Sequence, residues 1–219
     1  MNRFFVYGVG LGLLAVLGAC GRGPSGPSAS GGSVSVVGWP ASSGTLRFQS
    51  GAVVVAESPV DAGGNLTYSL PVPAPAALSE ESLVPDTWRT QGNGCTVKTS
   101  FEHSPDTIRH ARLDLLPLDG SGSSLGSVIL ANQEPVLEPG QKYAYLQYFD
   151  QDTTMKGTID CPRTFLGPWQ DVTLNLDLEA KQGWNYVLAE YRVIKSKWIV
   201  NISSSTTLPE GIRWRFQQP

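Results

Sequence analysis

The chain is poor in the residues from which most enzymes build their chemistry. Two histidines and three cysteines among 219 residues leave few general bases, nucleophiles or metal ligands, and none of the cysteines has a Cys or His neighbour at zinc-ligand spacing. Charge is sparse as well: 16 Lys and Arg stand against 19 Asp and Glu for a net charge of −3. Without a basic run there is no electrostatic footprint for nucleic acid or for anionic lipid. No stretch of useful length shows a helical apolar period, which excludes bundles and doubly wound folds. The apolar run from Phe4 to Leu17 falls short of the roughly 20 residues that span a bilayer. It ends in Gly21-Arg22-Gly23-Pro24, which no helix tolerates.

That run has the three parts of an export signal: a short n-region with Arg3, an apolar h-region, and small residues before a processing point. Leu17-Gly18-Ala19-Cys20 resembles the bacterial lipobox. The resemblance implies cleavage before Cys20 and lipidation of its thiol and new amine, so that the membrane is met through lipid. The alternative is an ordinary secretory signal cut near Ala19 with Cys20 left free. Gly21 in place of Asp after the lipidated residue argues, by the same family's convention, for the outer rather than the inner membrane. With Cys20 assigned to lipid, Cys95 and Cys161 remain, and two thiols in an oxidising compartment most simply form one disulfide. A loop of that size would stabilise the fold by roughly 4 kcal/mol on the chain-entropy account.

Beyond residues 1–19, the stretch 20–33 is almost wholly Gly, Pro and Ser and reads as a tether with a reach of roughly 20 Å. Residues 34–75 read as an N-terminal β part with strands Val34–Val37, Thr45–Gln49, Ala52–Glu57 and Asn65–Leu70. Ser50-Gly51 and Gly63-Gly64-Asn65 mark its turns, and Pro71, Pro73 and Pro75 close it. Residues 76–94 read as a loop or boundary with a helical turn around Leu78–Leu83. Residues 95–219 alternate apolar and polar in the manner of a sheet with one wet face. Val172, Leu174, Leu176 and Leu178 oppose Thr173, Asn175 and Asp177, while Ala111, Leu113 and Leu115 oppose Arg112 and Asp114. The expectation is an all-β protein of antiparallel sandwiches, in two packed parts.

Gly44-Thr45-Leu46-Arg47-Phe48 and Pro59-Val60-Asp61-Ala62-Gly63-Gly64-Asn65-Leu66 resemble the early strands of transthyretin-like and carboxypeptidase-regulatory-like sandwich modules. Over its mature length the chain resembles deinococcal envelope lipoproteins, through Leu70-Pro71-Val72-Pro73-Ala74-Pro75, Gly94-Cys95-Thr96-Val97 and Gln182-Gly183-Trp184-Asn185-Tyr186-Val187. That resemblance implies a secreted β fold with a paired Cys95 and supplies no activity.

Four features bear on chemistry. Gly122-Ser123-Ser124-Leu125-Gly126 matches the nucleophile elbow, which would make Ser124 a hydrolytic nucleophile, but no helix follows it and a hairpin loop accounts for it. His103 and His110, with Glu102, flank the turn at Ser104-Pro105-Asp106 and read as surface residues or a weak transition-metal site. Asp150, Asp152 and Asp160 lie at strand ends, where oxygen ligands could gather around calcium or simply form a turn. Tyr143 and Tyr145 share one strand face and, with Trp184 and the other aromatics Tyr148, Phe149, Trp169, Trp198 and Trp214, could offer a stacking surface to a sugar or a protein. The expectation is therefore a non-catalytic, lipid-anchored envelope protein with a protein or polysaccharide partner and no cofactor. An envelope hydrolase or metal-dependent enzyme is the alternative.

Overall fold

The computed structural model describes residues 28–40, 42–81, 95–105, 107–133, 138–161, 171–195 and 197–218. Residues 1–27, on which the expected export signal, Cys20 and most of the expected tether fall, lie outside them, as do Trp169 and the side chain of His103. In chain order the strands are β1 (Gly31–Val37), β2 (Gly44–Ser50), β3 (Val53–Val60), β4 (Asn65–Ser69), β5 (Ser79–Glu81), β6 (Thr96–Ser104), β7 (Ile108–Arg112) and β8 (Asp114–Leu118). They continue with β9 (Ser127–Ala131), β10 (Lys142–Phe149), β11 (Thr153–Cys161), β12 (Val172–Ala180), β13 (Gly183–Ile194), β14 (Lys197–Ser205) and β15 (Arg213–Gln217). The protein is all-β and sandwich-like. Alternation carries it: along β12, Val172, Leu174, Leu176, Leu178 and Ala180 are buried while the residues between them are not.

Strands β3, β2 and β8 form a small antiparallel sheet, and the rest join a large mixed one in the order β4, β1, β15, β9, β10, β13, β14, β12, β11, β6, with β7 on β10 and β5 on β7. Strand β1 runs parallel to β15 and β2 pairs with β8, so residues 34–75 share hydrogen-bonded ladders with the second half. Two apolar cores result. The first, between the sheets, holds Leu46, Phe48, Tyr68, Leu115, Leu130, Leu146, Tyr186 and Trp214. The second holds Ile108, Phe149, Met155, Ile159, Leu174, Val187 and Val200. Only residues 105–107 separate β6 from β7, although six other ladders lie between them by way of β10. The large sheet must therefore curl round this second core.

Several boundaries differ from the sequence reading, each for a local reason. Residues 28–33 belong to the fold rather than to a tether: Ala29 is fully buried and donates its N–H to the Thr206 carbonyl at 2.8 Å, and Gly31 to Ser33 pair with β4. The helical turn is a 3-10 turn at Pro75–Ala77, opened by Pro75, and Ser79–Glu81 that follows is strand. The run Ala111, Leu113, Leu115 is two strands in different sheets. All three residues enter the first core, so the alternation passes unbroken through the crossing at Leu113. The expected turn at Gly63-Gly64-Asn65 depends on Gly64, whose φ is +79° and where a Cβ would sit 2.6 Å from the Val36 carbonyl oxygen. The Asp61 carboxylate accepts the N–H groups of Gly63 and Asn65, each at 2.8 Å.

Cys95 and Cys161 form a buried disulfide that ties the entry of β6 to the end of its partner β11, where Asp160 faces Thr96. In the first core the Tyr186 and Tyr68 hydroxyls lie 2.7 Å apart. Tyr68 donates to the Ser28 carbonyl at 2.8 Å, so Tyr186 donates to Tyr68, and the start of the fold is pinned to the middle of β13. Burial raises the Tyr68 phenol above its ordinary value, against the hydrogen bond from Tyr186, and pushes the Tyr186 phenol far above the ordinary tyrosine range.

Two outcomes follow for the chain from Gly21 onward, which retains every described strand. Replacing Cys95 and Cys161 by Ser together should lower the unfolding free energy by about 2–4 kcal/mol, read from denaturant midpoints; no change would mean that the reduced chain is equally constrained. Tyr68 and Tyr186 bind their protons more tightly folded than unfolded, so their contribution is complete below pH about 10 and declines as pH rises from there toward the folded values. Urea midpoints measured between pH 8 and 11.5 should stay flat to about 10 and then fall, less steeply in Tyr186→Phe.

Candidate functional site

The crossing of the chain between its two sheets opens a cleft. Along one edge of β10, β9 pairs with Tyr143 and Ala144 and β7 pairs with Gln147 to Phe149. The Leu113 N–H bonds the Leu146 carbonyl at 3.0 Å, after which the chain leaves for the small sheet as β8. Where the two neighbours part, a cleft of about 560 Å³ lies against the inner face of β10, β13, β14 and β12. Leu174, Val200, Ile202 and Ala189 contribute its aliphatic surface, Tyr143, Tyr145 and Tyr191 its aromatic one, and Arg112 and Asp114 its charges. The volume falls within the range of roughly 300–1,000 Å³ typical of small-ligand pockets.

The side chains are held firmly. Tyr143 and Tyr145 share one face of β10 by the two-residue period of a strand, and that face is half-buried rather than wet. Tyr143 and Tyr191 meet edge to face, with ring centres 5.8 Å apart and planes at 88°. Tyr191 in turn meets Trp198 at 6.4 Å. The Arg112 guanidinium lies 4.4 Å from the centre of the Tyr145 ring, a cation–π contact, and among the described residues it forms no ion pair. Burial raises the Tyr145 phenol above its ordinary range, with the Arg112 charge pulling the other way. Tyr191 is raised for the same reason and opposed by the same charge. Tyr143 is raised by burial and by Tyr191, against a hydrogen bond with Gln141. All three hydroxyls therefore stay protonated at neutral pH and can donate.

Trp184 lies elsewhere. It is 7% exposed in the first core, packs edge to face on Tyr148 at 5.4 Å and donates its indole N–H to the Pro71 carbonyl at 2.9 Å. It anchors the proline-rich segment after β4 instead of lining the cleft. Trp214 is also in that core.

The polar candidates are likewise dispersed. Ser124 is exposed and its hydroxyl makes a long 3.4 Å bond to the Gly126 carbonyl. Nearby, Asp119 accepts from the Ser121 hydroxyl at 2.6 Å and from the Ser121 and Ser123 N–H groups. Those bonds hold the Asp119 carboxyl below its usual range and define a polar turn. His110 stands on β7 opposite Phe149 and Ser79, and His103 stands on β6 opposite Met155; Glu102 faces Lys156.

The length of β11 separates Asp160 from Asp150 and Asp152. Asp152 accepts the Gln182 N–H at 2.8 Å and the Lys181 ammonium at 3.0 Å, which keep its carboxyl low. Asp150 accepts the Arg109 N–H at 3.2 Å. At the far end, burial pushes the Asp160 carboxyl up, but the Thr173 hydroxyl at 2.6 Å and Lys197 at 2.9 Å outweigh it and hold it low. Among the described residues no three side chains gather as a metal site.

Arg112, Tyr191 and the aliphatic floor escape sequence reasoning. Arg112 reads as the solvent side of an alternating strand, and Leu174 and Val200 read as plain core. The usable signal was Tyr191, which lies on the same strand face as Val187 and Ala189, since side chains two apart share a face. No family model, curated protein or solved structure matches the chain.

In Arg112→Gln the Tyr145 and Tyr191 phenols lose the nearby charge that favours ionisation. Both should titrate at higher pH than in the parent protein, followed by ring resonances in NMR. Unchanged midpoints would show that the guanidinium does not sit on the ring in solution.

Proposed function

We propose that the chain is an exported, lipid-anchored envelope protein that binds rather than catalyses, with the cleft at Tyr143, Tyr145, Tyr191 and Arg112 as its ligand site. One observation carries the binding reading: apolar, aromatic and cationic groups converge where the strand exchange on β10 leaves a concavity. The enzyme alternative gains no support from Ser124, whose hydroxyl partner is a carbonyl, nor from the aspartates, whose partners are backbone amides, lysines and the Thr173 hydroxyl. Between the partners expected from sequence, a flat sugar stack fits poorly. Tyr143 and Tyr191 stand edge to face, and one face of Tyr145 is covered by Arg112. An apolar ligand, or an apolar side chain of a partner protein, fits better.

The anchor is supported by the lipobox resemblance at Leu17 to Cys20 and by the nearness of Ala29, the first buried residue described, to Cys20 along the chain. Cys20→Ser should abolish incorporation of labelled fatty acid into the exported protein, with no change in melting temperature of the folded part. Labelling that persists in the variant, or that is absent from the parent protein, would overturn the anchor. For the site, Tyr145→Ala should remove ligand binding while sparing lipidation, so the two halves of the proposal fail separately.

A further inference from the structure

The chemistry around the cleft narrows the ligand class. Its floor, made by Leu174, Val200 and Ile202 with Ala189, offers no hydrogen-bond partner to a sugar or a peptide backbone, so whatever lies there must be hydrocarbon. The polar side chains that line the cleft are the phenols of Tyr143, Tyr145 and Tyr191, the Ser127 hydroxyl, and the charged groups of Arg112 and Asp114. The Arg112 guanidinium lies over the Tyr145 ring, a contact that uses its π face, and the N–H fork of a guanidinium matches the two oxygens of a carboxylate. Asp114 is the other charged group lining the cleft. Among the described residues Asp114 forms no ion pair with Arg112, and its negative charge disfavours a multiply charged anionic head. The volume of about 560 Å³ suits one alkyl chain rather than the two of a glycerophospholipid.

We infer that the cleft takes a free single-chain amphiphile with a monoanionic head, of the long-chain carboxylate class, its hydrocarbon against Leu174, Val200 and Ile202 and its carboxylate on Arg112. This rests on the reading of the chain as a binding protein and names the ligand of that site. The tyrosines of the lining stay neutral, so the carboxylate binds ionised, with Arg112 as its one cationic partner among the lining residues.

The test titrates the chain from Gly21 onward with palmitate below its micelle concentration, beside hexadecanol and hexadecyltrimethylammonium, by calorimetry. Palmitate should bind saturably at one site, and the cationic amphiphile more weakly than hexadecanol. Arg112→Gln, a change at an exposed position, should weaken palmitate by about tenfold or more, as expected for a lost charge-assisted hydrogen bond. The same variant should leave hexadecanol within about twofold, because it touches the head and not the tail. Ile202→Asn, on the partly buried floor, should weaken both. Equal binding of palmitate and hexadecanol, unaffected by Arg112→Gln, would overturn the anionic head while leaving a binding cleft. Binding of neither amphiphile would overturn the amphiphile assignment and leave the apolar side chain of a partner protein as the occupant of the cleft. Association with phosphatidylglycerol vesicles in place of free palmitate would overturn the free-ligand assignment.

Discussion

Strand β10 is the constraint on which the molecule turns, because its two faces look into different cores. Ala144, Leu146 and Tyr148 enter the first core while Phe149 enters the second, with Tyr145 packed at that core's margin. Its neighbour β13 does the same with Tyr186 and Val187. A strand in that position has no solvent to satisfy its polar groups, so both of its edges must be hydrogen bonded. On one side β13 pairs along its full length. On the other, β9 and β7 divide the edge between them, and the bond from Leu113 to Leu146 closes the junction. The strand exchange that lets one chain serve two sheets is thus also what opens the cleft.

The charged groups are arranged to complete the sheet's outer surface. Thr158, Asn175 and Asn201 form a hydrogen-bonded row across β11, β12 and β14. Lys156 bonds Glu179 at 2.6 Å in an adjacent row. Asp160 collects Thr173, Lys197 and, at 3.5 Å, Lys98. These are cross-strand partners on a wet face, which is why acids that look clustered in the sequence sit apart and beside lysines. Exposed pairs of this kind contribute little each, about 0–1 kcal/mol. Stability rests instead on the two cores, the disulfide and the tyrosine pair.

Much of the strand content was legible because a single buried face imposes a period of two. Val172 to Leu178 were assigned correctly, and β9 matches residue for residue. The disulfide was legible from arithmetic once Cys20 is set aside. Tyr143 and Tyr145 were legible as a pair from their spacing, but their partners were not. Arg112 and Tyr191 lie 79 positions apart, and no local pattern reports that the chain brings them together. Trp184 shows the converse: an aromatic on an alternating strand can serve core or site, and the Pro71 carbonyl decides for the core.

Composition and periodicity by themselves point to an all-β fold, show that histidines and cysteines are few, and make the apolar N-terminal run resemble an export signal. They do so because these properties depend on residue type and on neighbours one to four positions away. Tertiary structure alone decided that Leu113 is a crossing between sheets, that residues 28–33 are part of the first core's wall, and that three tyrosines and an arginine share a concavity. Alternation records only whether a side chain is buried. It does not record which core receives it, and here two cores lie back to back on the same strands.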